Sequence, residues 1–96
     1  MAYRFEWDER KNKLNQKNHG IDFEDAQTVF FDEEALLIED PDHSKDEDRF
    51  LMLGISSTLR LMVVCHCYRE KGDVIRIISA RKAIKRERTQ YTAKLR

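Results

Sequence analysis

Three apolar runs, Arg49 to Ser56, Arg60 to Tyr68 and Val74 to Ser79, follow one another almost without interruption. Their connectors, Ser57-Thr58 and Glu70-Lys71-Gly72-Asp73, are too short to hold the crossover that parallel neighbours require. The simplest arrangement is therefore an antiparallel meander closed by hairpins. The flanking segments then fix the class: α+β, a small, mostly antiparallel sheet with two helices before it and one after.

Phe5 and Trp7 alternate with Arg4, Glu6 and Asp8, which predicts a short entry strand with its aromatics inward. Asp8 is placed to cap a helix from Glu9 to His19. That helix is polar throughout, with Leu14 its one strong apolar residue, so it rests on helix formers and end signals: Lys17 and His19 in the last turn, Gly20 as the stop. A second helix carries Phe23, Ala26, Val29 and Phe30 on one face, with Asp22 as cap and Asp25 at the third position, and runs to about Phe31. Ala35 to Ile38 has strand character, and Glu39 to Asp48 is an acid-rich stretch expected to form an exposed loop.

The last sheet segment leads into the most basic stretch of the chain, Arg76 to Arg88, where the apolar period changes from strand-like to helix-like. The spacing predicts a buried strand entering a basic helix, with Arg81 and Lys82 at the helix start. Cations there oppose the dipole, whose free N–H groups favour an anion. A phosphate site is one reading and a solvated basic helix the other. Ile84, Tyr91 and Leu95 fall on the packing side of this helix, with Glu87 and Arg88 between them. A carboxylate leaning inward at Glu87 requires an arginine partner, since an unpaired charge leaving water is costly.

Charge is divided along the chain. Residues 1 to 48 hold 6 Lys/Arg against 15 Asp/Glu, and residues 49 to 96 hold 12 against 3, so net charges of −9 and +9 cancel. The second half can present a positive field to a polyanion unless the halves pair with each other. No run approaches the roughly 18 apolar residues of a membrane span, and the first residues lack a signal-peptide pattern, so a cytoplasmic single domain over residues 1–96 is expected. Cys65 and Cys67, two apart on one strand, are not placed to bond each other, which suits a reducing compartment.

Metal and cofactor readings are weak. Alternation puts His66 on the face opposite Cys65 and Cys67, so the three do not share one metal. Asp40, Asp42, His43 and Asp46 lack the glycine turn and terminal glutamate of a calcium loop. No cofactor is expected. What remains is Arg76, Arg81, Lys82, Lys85, Arg86 and Arg88 with Glu87. If the anion is RNA, cleavage without a metal requires a base for the 2′-hydroxyl, cations for the phosphorane and an acid for the 5′ oxygen. Arginine suits the second role. Glu87 or His19 is a candidate base, and a histidine or a lysine of lowered pKa a candidate acid. Pairing Tyr68 with Val74 would set His66 opposite Arg76.

Several fragments in order carry a resemblance: Glu6-Trp7-Asp8, Lys17-Asn18-His19-Gly20, Phe23-Glu24-Asp25-Ala26 with Val29-Phe30, Asp42-His43-Ser44 to Asp48-Arg49-Phe50, and Ile77-Ile78-Ser79-Ala80-Arg81-Lys82-Ala83 with Arg86-Glu87-Arg88 and Tyr91. The set covers nearly the whole chain and resembles BrnT, the ribonuclease toxins of BrnT/BrnA type II toxin-antitoxin systems. One departure is Asn18, inserted where many members read Lys-His-Gly. The resemblance implies a RelE-like fold and metal-independent RNA cleavage that inhibits translation. It also implies neutralisation by a BrnA-like antitoxin in a hetero-oligomer with two toxin chains, operator DNA being bound only through the antitoxin. Carried over by position, the catalytic set is Arg81, Arg76, Glu87, Tyr91 and His19, with Lys17 and Arg49 contacting RNA; Lys82 and Lys85 of the basic stretch are the further candidates for RNA contact. The alternative from another class is a non-catalytic module that docks a small DNA-binding protein.

Overall fold

The computed structural model describes residues 3–39 and 49–95. In chain order these form β1 (Arg4–Glu6), α1 (Glu9–His19), α2 (Phe23–Gln27) continued by a 3-10 turn (Thr28–Phe31), β2 (Leu36–Ile38), β3 (Phe50–Ile55), β4 (Leu61–Arg69), β5 (Val74–Lys82) and α3 (Lys85–Lys94). The expected acidic loop, with Asp40, Asp42, His43 and Asp46, lies outside the described residues apart from Glu39.

The meander β3-β4-β5 is the centre of a five-stranded sheet of order β1-β5-β4-β3-β2. All neighbours are antiparallel except β1, which pairs parallel to β5 through Arg4–Val74, Phe5–Ile75 and Glu6–Arg76. A three-residue entry strand gives no sequence signal for its partner, so this pairing emerges only in the fold. One face of the sheet packs Met62, Val64, Ile77 and Ala80 against Ile21, Phe23, Ala26 and Val29. The other packs Leu51, Leu53, Val63 and Cys65 against Ala83 and Tyr91. Gly54 permits the close crossing of the 3-10 turn over β3, because a Cβ there would lie 2.8 Å from Val29 Cγ1.

Helix α1 docks by a different means. Its apolar residue Leu14 is 57% exposed, while Asn12 and Asn15 are buried. Beyond Arg76 the outer edge of β5 has left β1 behind, and Asn15 closes it as a strand would: Nδ2 donates to Ala80 O (2.9 Å) and Oδ1 accepts from Ala80 N–H (3.0 Å). A further Nδ2 bond reaches Ile21 O (2.8 Å), and Asn12 Oδ1 accepts from Phe23 N–H (2.9 Å). These bonds satisfy backbone groups that would otherwise be buried without partners.

Strand register corrects one expectation. Arg69, not Tyr68, pairs with Val74, and an irregularity follows between Cys65 and His66. His66 consequently faces Ile77, and Cys67 faces Arg76. The side chains Ile84 (48% exposed) and Leu95 (54%) are likewise not packing residues; of the expected helical stripe, Tyr91 and Glu87 are buried.

Candidate active site

Extended backbone persists to Lys82, so Arg81 and Lys82 end a strand and do not begin a helix. The helix starts at Lys85, capped by Ile84, whose backbone is extended (φ −82, ψ 169). Glu87, at the third position, reaches back to accept from Ile84 N–H (2.9 Å). The same carboxylate receives Arg81 in a two-pronged fork, Nη1 to Oε1 at 2.8 Å and Nη2 to Oε2 at 2.9 Å. Arg81 also donates to Lys82 O (3.3 Å). Strand and helix are thus joined by one carboxylate, and the guanidinium it fixes is 39% exposed against 7% for Glu87. Arg81's hydrogen bonds hold the Glu87 carboxyl below the ordinary range; burial opposes this, and the Ile84 N–H and the charges of Arg81 and Arg86 add to it.

One turn along α3, the Tyr91 hydroxyl donates to Asp32 Oδ2 (2.6 Å). Asp32 also accepts from Ile55 N–H (2.9 Å) and Glu34 N–H (2.9 Å). Burial by itself would raise the Asp32 carboxyl, but these three bonds and the Lys94 charge outweigh it and hold the group low. Tyr91 is pushed up to about 12, by burial first and then by the Asp32 bond. Asp32 was not singled out in the sequence, where it is one acid after an apolar run with Glu33 and Glu34 behind it.

Arg76 lies further up β5, about 15 Å from Arg81 at the usual strand rise, and donates to Glu6 Oε2 (2.6 Å). Arg69 also approaches this oxygen (3.5 Å). The two halves of the chain therefore do pair here. Arg81 is registered with Val63 and Arg76 with Cys67, on the α3 side of the sheet; Arg49 is exposed just before β3. Lys82 and Lys85 are exposed at the strand-helix junction, and Lys17 and His19 are exposed in the last turn of α1. The fold brings Arg81 and Glu87 into contact and sets Tyr91 on the next turn. It joins neither Arg76 nor His19 to them by any hydrogen bond among the described residues. Among those residues no group of three or more His, Cys, Asp or Glu side chains converges as metal ligands would.

His66 belongs to a separate aromatic cluster. It is fully buried, its ring 4.7 Å from Phe30 and 5.2 Å from Tyr68. Nδ1–H donates to Val64 O (3.0 Å), and Nε2 lies 3.2 Å from the Tyr68 hydroxyl, an arrangement that suits a neutral ring accepting there. Burial pushes its pKa below the ordinary value, against the Val64 bond. A base held low in the folded state stabilises fully above its unfolded pKa of about 6.5 and loses that stability as pH falls below it. Urea midpoints should accordingly drop between pH 7 and pH 5, and His66→Gln should flatten that slope; an unchanged slope would refute the assignment.

Comparison with known proteins places this geometry in context. A family model described as the ribonuclease toxin BrnT of type II toxin-antitoxin systems matches residues 7–87. Among solved structures, the chain is similar to the crystal structure of the Brucella abortus ribonuclease toxin BrnT, at 23% identity and a TM-score of 0.66. That match covers 88% of this chain and 100% of the other, and at this identity it is a likeness of fold. No curated protein matches the chain.

Proposed function

Because the chain belongs to the BrnT family of ribonuclease toxins of type II toxin-antitoxin systems, we propose that it cleaves RNA at the β5–α3 junction, without a metal, through attack of a 2′-hydroxyl on the adjacent phosphate. The P–O5′ bond breaks as the new P–O2′ bond forms, leaving a 2′,3′-cyclic phosphate and a 5′-hydroxyl. The observation that carries this reading is the fork between Arg81 and Glu87. It holds a guanidinium at the surface in one orientation, ready for the charge that develops on the phosphorane. Glu87, with both oxygens engaged and a lowered pKa, is a weak base and acts as the positioning residue for Arg81. Tyr91 positions the helix through Asp32. His19 is the proton-transfer candidate. Arg76, Arg49, Lys82, Lys85 and Lys17 supply backbone contacts to the RNA, with Arg76 on the face shared with Arg81.

The partner is a BrnA-like antitoxin in a hetero-oligomer with two toxin chains, which carries operator-DNA binding and neutralises the toxin. The domain is RelE-like over residues 1–96 and cytoplasmic. Purified chain should cut single-stranded RNA in excess EDTA and leave cyclic-phosphate ends, and its expression alone should arrest growth. Cutting restored only by added Mg²⁺ would overturn metal independence. Intact RNA with folded protein would instead support the non-catalytic docking module.

A further inference from the structure

The amide that closes the edge of β5 sits between two groups of the proposed site. Asn15 is 5% exposed and engaged from both sides of its planar group: Nδ2 donates to Ile21 O (2.8 Å) and Ala80 O (2.9 Å), and Oδ1 accepts from Ala80 N–H (3.0 Å). The strand residue held in this way is the immediate neighbour of Arg81. On the helix, His19 follows Asn15 at i+4, so the two lie on one face of α1 a single turn apart. One side chain therefore links the element that carries the proton-transfer candidate to the element that carries the cation.

A second contact brings the last turn of α1 to the same end of the sheet. Gly20, in the left-handed region at φ 68, ends the helix directly after His19, and its carbonyl accepts from Arg60 Nη1 (3.0 Å). The next residue, Leu61, accepts from Ala83 N–H (3.2 Å) through its carbonyl. Lys17 and His19 thus approach the sheet where Lys82 and Ala83 lead into α3. Apolar packing is non-directional and tolerates sliding, whereas an amide bonded both ways to one residue permits a single register. Leu14, the apolar residue of α1, is exposed, so it is the amide that sets this register. Asn12 makes a useful contrast. It is equally buried on the same helix, but its Oδ1 accepts from Phe23 N–H (2.9 Å) and its Nδ2 donates to Glu9 Oε1 (2.8 Å), so its bonds go to α2 and α1.

We propose that Asn15 is a positioning residue of the ribonuclease site, fixing the register of α1 on β5 so that His19 and Arg81 address the same phosphate. The proposal rests on the reading above that the β5–α3 junction cuts RNA, with Arg81 as the cation and His19 as the proton-transfer group. Registration of this kind acts on the chemical step. A reacting group displaced by about 1 Å costs on the order of a hundredfold in rate, while the basic residues that hold the RNA backbone keep their contacts.

The test uses the full chain and a mixed-sequence single-stranded RNA, assayed well below the melting temperature of every variant. Asn15→Ala should lower the melting temperature by roughly 10 °C. It should lower kcat about a hundredfold and leave KM within about twofold. Asn12→Ala should melt earlier by a similar amount and keep the parent kcat. His19→Ala should slow the parent strongly yet change Asn15→Ala by less than about twofold, because a misplaced group has little left to lose. Asn15→Asp keeps the size and the acceptor for Ala80 N–H but neither donated bond, and should show the same split between kcat and KM.

The proposal is overturned if the folded Asn15 variants cut at the parent rate, if their loss lies in KM, if Asn12→Ala is slowed as much, or if the His19 and Asn15 effects add. Failure of both Asn15 variants to fold would make the residue one of the fold alone and overturn it too. RNA left intact by the parent would refute the reading of the site and this role with it, whereas a cutting parent matched by Asn15→Ala would refute this role alone.

Discussion

Arg81→Ala should reduce RNA cleavage by roughly a hundred- to a thousandfold, the usual cost of removing one preorganised group at a developing anion. The same change leaves Glu87 buried with one remaining hydrogen-bond partner among the described residues, the Ile84 N–H. That costs about 2 kcal/mol, at the low end for a broken buried pair because Arg81 is partly exposed, and should lower the melting temperature by roughly 10 °C. Stability and chemistry are separated by the double variant Arg81→Ala with Glu87→Gln, which removes the orphaned charge. It should regain most of the melting temperature and stay inactive. Arg81→Lys should fall between, since an ammonium keeps the charge but not the two-pronged geometry. A double variant that cleaves RNA at the parent rate would rule out Arg81 as the catalytic cation.

Asp32→Ala should be the more damaging change for the fold. It strips the acceptor from the Tyr91 hydroxyl and from two backbone N–H groups, Ile55 and Glu34. The expected loss is about 3 kcal/mol, or roughly 15 °C of melting temperature. Tyr91→Phe should cost about 1 kcal/mol alone and almost nothing once Asp32 is gone, because both remove one shared bond. A large additional loss would show that the two do not act through that bond. Acid should reproduce part of the effect. Asp32 and Glu87 both have lowered pKa values, so the stability they contribute is present above the ordinary carboxylate range and is lost as pH falls through and below it. This loss lies at lower pH than the one assigned to His66, so acid denaturation of the parent should show two separate regions of slope.

The sheet was readable because its connectors leave three adjacent strands no other pairing, and Glu87 because helical spacing turned it inward where only an arginine could match it. The strand-helix boundary was not. Ser79-Ala80-Arg81-Lys82-Ala83 contains nothing that breaks either state, and the pairing of Met62 with Lys82 decided for strand. Helix α1 was legible in its bounds, Glu9 to His19, but not in its buried face. Hydrophobic periodicity assumes that a buried face is apolar, whereas this one is made of Asn12 and Asn15, whose partners are backbone groups elsewhere in the chain. Asp32 was invisible because, beyond its local bond to Glu34 N–H, its partners are Ile55 and Tyr91, far away in sequence.

The amide of Asn15 that closes the edge of β5 spans 65 residues, and β1 also finds its partner on that last strand. Neither end of the protein can complete its contacts until the other has been made. During synthesis α1 is made well before β5, so the Asn15 amide must wait for the strand that it closes. The same strand carries Arg81, so on the proposed reading the site is assembled by a long-range closure, late in folding.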